Sequence, residues 1–249
     1  FHLPAGADLS RQILARLPEE DPRLAADRRA AARLAAERAR TASESFRSHG
    51  MDWDEIRALG LPAAEIEQAI IAALPPRAGA LLDIGTGTGR LLELAGDRVE
   101  SVVGVDMSRD MLALARARLA ERGLAGRCSV RQADMYRLPF ADGIFDAVTL
   151  QMVLHYAEDP ATAIAEAARV THPDGLLLIA DLAAHERADL MDRHAHRWPG
   201  FDDAEIAGWL GAAGCAPAST VEVPGPLALR LWSARRVPGF APATTSVAL

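Results

Sequence analysis

From residue 77 onward the chain alternates short apolar runs with helical patterns, and this alternation limits the fold more than any other feature. Five apolar runs predict strands at 81–85, 101–106, 128–134, 144–151 and 175–181. Helical patterns at 91–95, 111–119 and 160–170 lie between most of them, which favours right-handed βαβ units. Two further runs, 218–225 and 227–234, follow a helix around 206–210 with only a turn between them, so they predict an antiparallel end. The sequence therefore predicts an α/β doubly wound sheet of seven strands, mostly parallel.

The region before this sheet has a different texture. It predicts an α-helical N-terminal segment over residues 1–75, with helices at 8–17, 21–47, 51–59 and 62–74, and the pair Pro75-Pro76 marks its end. The long helix 21–47 has few large apolar residues, so it is expected to be an exposed connector or a helix that packs on a partner. A homodimer through these helices stays open. The main domain is expected over 76–237, and a disordered tail over 238–249.

Charge, cysteine content and hydropathy limit the function classes. The chain has 27 basic and 34 acidic residues, for a formal net charge of −7, which disfavours a nucleic-acid-binding surface over the whole chain. Cys128 and Cys215 are too few for a disulfide scaffold and are expected to be buried thiols in a reducing compartment. With no long apolar run and no secretory pattern at the start, the sequence predicts a cytoplasmic protein that does not enter a membrane.

The first predicted strand runs into a glycine-rich turn that opens a helix. The turn reads Asp83-Ile84-Gly85-Thr86-Gly87-Thr88-Gly89. Its glycines allow a tight turn and a close approach of a ligand to the backbone. A dinucleotide-binding turn reads G-x-G-x-x-G, whereas here the third glycine comes one residue early, at Gly89. The Gly-Lys-Ser/Thr end of a Walker motif is absent as well.

Two acidic residues end the next two predicted strands. Asp106 closes the second strand, where an acid can accept hydrogen bonds from both ribose hydroxyls, and Asp134 closes the third. If the first three strands lie side by side, the glycine turn and both acids face one crevice. Such a crevice suits a ribose, a base with an exocyclic amine and an amino-acid-like end.

In this order and spacing, D-x-G-x-G-x-G, GVDMS, QADM and FDAVTLQMVLHY resemble the class I S-adenosylmethionine (SAM)-dependent methyltransferases, in the ubiquinone-biosynthesis-like small-molecule subgroup. The resemblance covers about residues 77–235 and implies a Rossmann-like fold with SAM as cofactor. It places the glycine turn against the methionine moiety and Asp106 on the ribose. It implies that Met107 packs on the adenine, that Asp134 accepts from the adenine amine near the Met135 N–H, and that Gln151 faces the methionine end or the substrate. The cofactor-binding residues expected in this way are Asp83, Gly85, Thr86, Gly87, Gly89, Asp106, Met107, Ala133, Asp134, Met135 and Gln151.

The chain also resembles a narrower group, in which a methyltransferase domain follows an ArsR-type winged-helix DNA-binding domain. The segments behind this are 17–29, 53–62, 194–214 and 229–236. Because the chain starts at Phe1 rather than Met, residues 1–10 are interpreted as a remnant of such a domain. Any contact with DNA would then need the part that is missing upstream.

Methyl transfer from a sulfonium is an in-line displacement that needs alignment and exclusion of water more than a base. His155 and Tyr156 follow the fourth strand and are the candidate catalytic residues, with a structural role for His155 as the alternative. Phe46, Trp53, His155 and Trp198 are candidates for contact with the acceptor. His185, His194 and His196 lack a strong metal-ligand spacing, so no metal is predicted.

Three functional hypotheses follow. The first is a methyltransferase that acts on a small molecule. The second is a module of an ArsR-type regulator that senses SAM or S-adenosylhomocysteine. The third, a nicotinamide-dependent oxidoreductase, is disfavoured by the glycine spacing. Arsenite methylation would need more thiolates than two, and amino-methylation of DNA bases lacks its Asn/Asp-Pro-Pro-Tyr motif.

Overall fold

A single sheet organises the part of the chain that the structure describes. The structure is a computed structural model, and it describes residues 60–76, 78–96, 98–187 and 196–240. Its strands are β1 (Ala80–Ile84), β2 (Ser101–Asp106), β3 (Cys128–Gln132), β4 (Phe145–Gln151), β5 (Thr171–Leu182), β6 (Cys215–Val223) and β7 (Leu229–Arg236). Its helices are α1 (Ala63–Ala73), α2 (Arg90–Ala95), α3 (Arg109–Glu121), α4 (Pro160–Val170) and α5 (Asp203–Ala212), with a 3₁₀ turn at Leu154–Tyr156.

The strand order is β3-β2-β1-β4-β5-β7-β6. The first five strands run parallel to one another, and β7 pairs antiparallel with both β5 and β6. The predicted seven-stranded, mostly parallel sheet with an antiparallel C-terminal pair is therefore confirmed. Strands β2 and β3 are added on one side of β1, and β4 and β5 on the other, so the topological switch point lies between β1 and β4. Sheets of this kind bind ligands at that point.

Apolar side chains pack on both faces of the sheet. Leu81, Ala147 and Leu178 face one side, where residues of α1 and α2 join them. Leu82, Val148 and Ile179 face the other, where residues of α4 and α5 cover them. Because both faces are covered, the central strands are continuous apolar runs, as expected for a parallel sheet.

Local sequence signals explain the helix ends. Asp159 caps α4 through the Thr162 N–H, and Pro160 occupies the first helical position. Asp202 and Glu205 form a reciprocal capping box at the start of α5. Ser108 caps α3 by accepting from the Met111 N–H, so the three longest C-terminal helices all start at side-chain caps.

The helix α1 belongs to the same core as the sheet. Its Ile66 and Ile70 are buried in the cluster that contains Leu81 and Leu231. This core therefore contains residues from both sides of position 75/76. The helices predicted at 8–17, 21–47 and 51–59 lie outside the described residues.

Three other differences from the sequence-based boundaries have local causes. The third strand ends at Gln132 rather than at residue 134, because Asp134 enters a turn that closes on Arg137. The fifth strand begins earlier than residue 175, at Thr171, where it already pairs with Phe145. After residue 237 the chain is exposed, but the Phe240 ring lies over Gly214. Residues 241–249 are outside the described part.

The structure bears on two predictions from composition, the state of the cysteines and the absence of a membrane-spanning helix. Cys128 and Cys215 are both buried, as expected. Among the helices that the structure describes, none is long and apolar enough to cross a membrane.

Candidate functional site

The glycine turn leaves the end of β1 and starts α2. Gly85, Gly87 and Gly89 have φ values of 73°, 52° and 75°, a region that favours glycine. The N–H groups of Gly85 and Thr86 both donate to the Val105 carbonyl, at 2.8 and 2.9 Å. The turn is thus tied to β2 while its glycine backbone carries no side chains that would keep a ligand away.

Asp106 joins the end of β2 to this turn. One of its carboxylate oxygens accepts from the Gly87 N–H at 3.0 Å and the other from the Ser108 N–H at 2.7 Å. Burial raises the pKa of this carboxyl, and the backbone hydrogen bonds counter that effect. A carboxylate has about four acceptor positions, so acceptor capacity remains for ligand hydroxyls beside these backbone donors.

Asp83 lies one layer deeper. Its side chain is buried, and one carboxylate oxygen accepts from the Thr149 hydroxyl at 2.7 Å. Burial raises the pKa of Asp83 to about 6, and the nearby Asp106 carboxylate adds to the rise. Asp83 therefore supports the turn from inside, with no exposed face of its own.

The ends of β2 and β3 offer an apolar contact and a carboxylate. Met107 is 58% exposed, although large apolar side chains are usually covered, and its carbonyl accepts from the Gln132 amide at 3.0 Å. Asp134 is exposed and accepts from the Tyr136 N–H at 3.0 Å. Ala133 donates its N–H to the Asp106 carbonyl at 3.1 Å. The structure thus places these residues beside Asp106, while Met135 is partly buried in the core below.

The exit of β4 lies on the opposite side of the turn. Gln151 is buried at the strand end, and Met152 follows it with a φ of 50°, one of two non-glycine residues with positive φ in the described part. Val153 then lies directly on the glycine turn, because a Cβ on Gly85 would be 2.5 Å from a Val153 methyl group. The turn and the β4 exit are therefore in tight contact.

The two candidate catalytic residues follow in the 3₁₀ turn. His155 is 0% exposed, and its Nδ1 lies 2.6 Å from a carboxylate oxygen of Asp181, which is also 0% exposed. The rings of Tyr156 and His196 pack against the His155 ring, with centroids at 4.1 and 4.3 Å. The structure places His155 inside the protein, in the surroundings of a structural histidine.

Of the candidate acceptor residues, the structure brings His155 and Trp198 together, because the Trp198 N–H donates to the His155 carbonyl at 3.2 Å. Trp198 donates its indole N–H to the Ala157 carbonyl at 2.8 Å and packs with Phe201 and Trp209. Phe46 and Trp53 lie outside the described residues. His194 lies outside them as well, and within them no group of three His, Cys, Asp or Glu side chains is arranged to hold a metal ion.

Sequence reasoning missed three contributors to this site. Gly104 in β2 lies under the Thr86 side chain, where a Cβ would be 2.7 Å from the Thr86 hydroxyl oxygen. Arg118 of α3 donates to the Thr88 hydroxyl at 2.9 Å and so holds the turn from outside. Asp181 is the partner of His155. A glycine inside a strand often marks a close approach, so Gly104 carried a signal. Asp181 also carried one, because it ends the fifth predicted strand as Asp106 and Asp134 end theirs, whereas Arg118 carried none.

Comparison with known proteins identifies relatives of the chain. Residues 82–179 match the family model described as a methyltransferase domain. The chain is 34% identical over 168 residues to the demethylmenaquinone methyltransferase of Thermus thermophilus. The matched region covers 66% of this chain and 76% of that protein. It is 36% identical over 114 residues to the phosphatidylethanolamine N-methyltransferase of Cereibacter sphaeroides, over 46% of this chain and 56% of that protein.

A solved structure shows the same fold. A SAM-dependent methyltransferase from Aquifex aeolicus superposes with a TM-score of 0.60 at 22% identity, over 75% of this chain and 100% of that one. The chain spans about half the length of other curated relatives that it matches, including the phosphatidylethanolamine N-methyltransferase.

Proposed function

Since the chain belongs to the class I SAM-dependent methyltransferases, we propose that it transfers the methyl group of SAM to a small-molecule acceptor. One observation carries the proposal most directly. The glycine turn at Gly85–Gly89 and the Asp106 carboxylate lie in contact at the carboxyl ends of β1 and β2, with spare acceptor positions on the carboxylate. The same family membership supports SAM as the cofactor.

The residues present suit each part of SAM. The glycine turn lets the amino-acid end approach the backbone closely, and the Asp106 carboxylate suits the two ribose hydroxyls. The exposed Met107 side chain offers an apolar surface for the adenine ring. The exposed Asp134 carboxylate is an acceptor for the adenine amine.

When bound, SAM supplies a methyl group that is already activated by its sulfonium charge. What the protein adds is alignment, binding and exclusion of water. Val153 and Gly85 form a close-packed wall beside the turn, and buried Gln151 lies at the adjoining strand end. His155 is fully buried and bonded to Asp181, so this proposal gives it no proton-transfer step.

The small-molecule acceptor class is supported by the relatives, whose names specify demethylmenaquinone and phosphatidylethanolamine. Incubation of the protein with methyl-labelled SAM and a deproteinised metabolite extract is expected to yield a labelled small molecule. Label that appears only in protein or nucleic acid when those are supplied would contradict the acceptor class.

The cofactor site is tested by calorimetric titration with SAM, S-adenosylhomocysteine and nicotinamide adenine dinucleotide (NAD). We expect micromolar binding of the first two and none of NAD. Asp106→Asn keeps the size of the side chain but loses its charge and one acceptor oxygen, so binding is expected to weaken at least tenfold. Asp110→Asn, which changes an exposed acid in the first turn of α3, is the matched control and should bind as the wild type does.

A regulatory role is a second candidate, and it rests on the resemblance of segments 17–29, 53–62, 194–214 and 229–236 to ArsR-type fusions. We propose that such a fusion would respond to SAM or S-adenosylhomocysteine through differential binding to two states. It predicts that either ligand changes the affinity of the natural full-length protein for its operator DNA. Equal operator affinity with and without ligand would rule this role out.

Two finer proposals concern the setting of the enzyme. Two buried cysteines are too few for a disulfide scaffold and support a reducing compartment, so we propose that the protein lies in the cytoplasm. A homodimer through the N-terminal helices is supported by the thin apolar stripe of the sequence 21–47. Light scattering should then give twice the chain mass of 26.6 kDa, and a monomer mass would refute the dimer.

A further inference from the structure

A buried carboxylate at the end of β5 holds three donors that belong to two separate segments. Asp181 is 0% exposed. One of its oxygens accepts from the Leu154 N–H at 3.0 Å. The other lies 2.6 Å from His155 Nδ1 and accepts from the Leu182 N–H at 2.8 Å. A buried carboxylate is stable only when its acceptors are used in this way, so these bonds fix the 3₁₀ turn onto β5.

The position of the glycine turn, where SAM is proposed to bind, depends on the same 3₁₀ turn. Met152 still donates its N–H to the Ala180 carbonyl at 2.8 Å, and its positive φ then bends the chain out of the sheet. This bend places Val153 against Gly85. A left-handed conformation at a buried, non-glycine residue is strained and persists only where neighbouring contacts hold it. The bond from Leu154 to Asp181 is one such contact, two residues after Met152.

The backbone of His155 also holds a second segment, which begins at His196. The His155 carbonyl accepts from the Arg197 N–H at 2.8 Å and from the Trp198 N–H at 3.2 Å. The His155 ring packs on the His196 ring. We call the segment 196–201 the outer limb. It is also bonded to the end of β5 and the residues after it: the Phe201 N–H donates to the Leu182 carbonyl, and the Ala184 N–H donates to the Phe201 carbonyl, both at 3.0 Å. The outer limb thus lies at the carboxyl ends of β4 and β5.

We propose that Asp181 is a positioning residue for methyl transfer, which holds the β4 exit so that the glycine turn and the outer limb keep a fixed relation. The inference rests on the proposed function, because it treats the turn as the donor site and the outer limb as a wall of the acceptor side. It explains why the His155–Asp181 pair is completely buried, since the pair then has a structural role. In this role Asp181 acts through Leu154 and His155 and touches neither substrate nor cofactor.

The experiment is amide hydrogen exchange on the whole chain, combined with titration by S-adenosylhomocysteine. Asp181→Asn leaves one acceptor oxygen for three donors. We expect exchange about tenfold faster at the amides of Leu154, Arg197 and Trp198, and binding of S-adenosylhomocysteine about tenfold weaker. Val148 and Leu178, in the middle of the sheet, are expected to exchange as in the wild type.

A second variant separates positioning from general stability. His155→Asn keeps a donor for Asp181 and keeps the backbone carbonyl, but it removes the ring that packs on His196. It should speed exchange at Arg197 and Trp198 and leave Leu154 unchanged. Asp146→Asn is the matched control, because Asp146 also accepts a backbone N–H, from Ala80 at 2.8 Å, in another part of the sheet. It should leave all three amides and the binding unchanged.

The proposal is overturned if Asp181→Asn leaves the three amides at wild-type rates, or if Val148 and Leu178 speed up equally, which would mean general destabilisation. Failure of the proposed function looks different. In that case the wild type itself does not bind S-adenosylhomocysteine, while the exchange rates of the unliganded variants still show whether Asp181 holds the two segments together.

Discussion

At the scale of single residues, the glycine turn depends on Gly104 in β2 as much as on its own glycines. Gly104 is paired with Asp83 and Val130 in the middle of the sheet. Above it lies the Thr86 side chain, and a Cβ on residue 104 would stand 2.7 to 2.9 Å from Thr86 and Leu92 atoms. The glycine therefore makes room for the turn rather than for a special backbone angle.

Gly104→Ala should push the turn away from β2. We expect a loss of about 1–3 kcal/mol in the free energy of unfolding, as is usual for overpacking, together with weaker binding of S-adenosylhomocysteine. Urea unfolding and calorimetry measure the two effects. Gly126→Ala is the control, because a Cβ there meets nothing within 4 Å. Equal stability of the two variants would contradict the contact.

The buried Asp83 makes a prediction about pH. Its pKa rises from 3.8 to about 6 on folding, so the folded state binds more protons than the unfolded state between these values. Stability from this group is then greatest at low pH and is lost as the pH rises through the folded pKa. Asp83→Asn removes the titration while keeping the shape of the side chain.

Compared with the wild type, Asp83→Asn should therefore gain about 2 kcal/mol in free energy of unfolding between pH 4.5 and pH 7.5. Urea unfolding of both proteins at the two pH values gives this difference directly. A difference between variant and wild type that is the same at both pH values would show that Asp83 does not titrate in this range.

At the scale of elements, α5 shows how strong ends can compensate for a weak interior. The capping box of Asp202 and Glu205 starts the helix, and Gly214, with a φ of 75°, follows its end. Between them Gly208 lies inside the helix, where a glycine costs about 1 kcal/mol relative to alanine. The helix is held mainly by its caps and by Ile206 and Leu210, which are buried in the core.

Gly208→Ala should stabilise the protein, because a Cβ at this position meets nothing within 4 Å. We expect a gain of about 0.5–1 kcal/mol and a rise in Tm of about 1–4 °C, measured by calorimetry. Gly214→Ala should do the opposite, since the Phe240 ring occupies the place of its Cβ. Parallel shifts of Tm in the two variants would be inconsistent with these contacts.

At the scale of the whole molecule, the sheet and α1 form one cooperative unit. Ile66 and Ile70 of α1 are buried with residues of β1 and β7. Outside the core, Glu67 pairs with Arg90 at 2.9 Å and Arg90 with Glu93 at 3.0 Å, so α1 is also tied to the helix that follows the donor turn. The Arg90–Glu67 pair is bidentate and partly buried, so it adds to the apolar contacts of α1.

Ile70→Ala should cost about 2–5 kcal/mol of stability, the range for removing a large buried aliphatic side chain. The unfolding transition should move as a whole, without a separate early phase for α1. Gln68→Ala, at an exposed position of the same helix, should change stability by less than about 0.5 kcal/mol. A small effect of Ile70→Ala would mean that α1 is an appendage, as a boundary at 75/76 requires.

The sequence by itself was sufficient for the alternation of strands and helices, the antiparallel end and the pairing of the glycine turn with acids at strand ends. These features are local: they depend on periodicity within a few residues and on the rule that parallel strands share one carboxyl edge.

Only the tertiary structure decided that Gly104 underlies Thr86, that Asp181 reaches both Leu154 and His155, that β7 lies between β5 and β6, and that α1 shares the core of the sheet. Each of these joins residues far apart in the chain, and no periodicity encodes such a contact. Burial of an individual polar side chain such as His155 or Asp83 depends on what packs around it in three dimensions, so its chemistry is set only when the fold is complete.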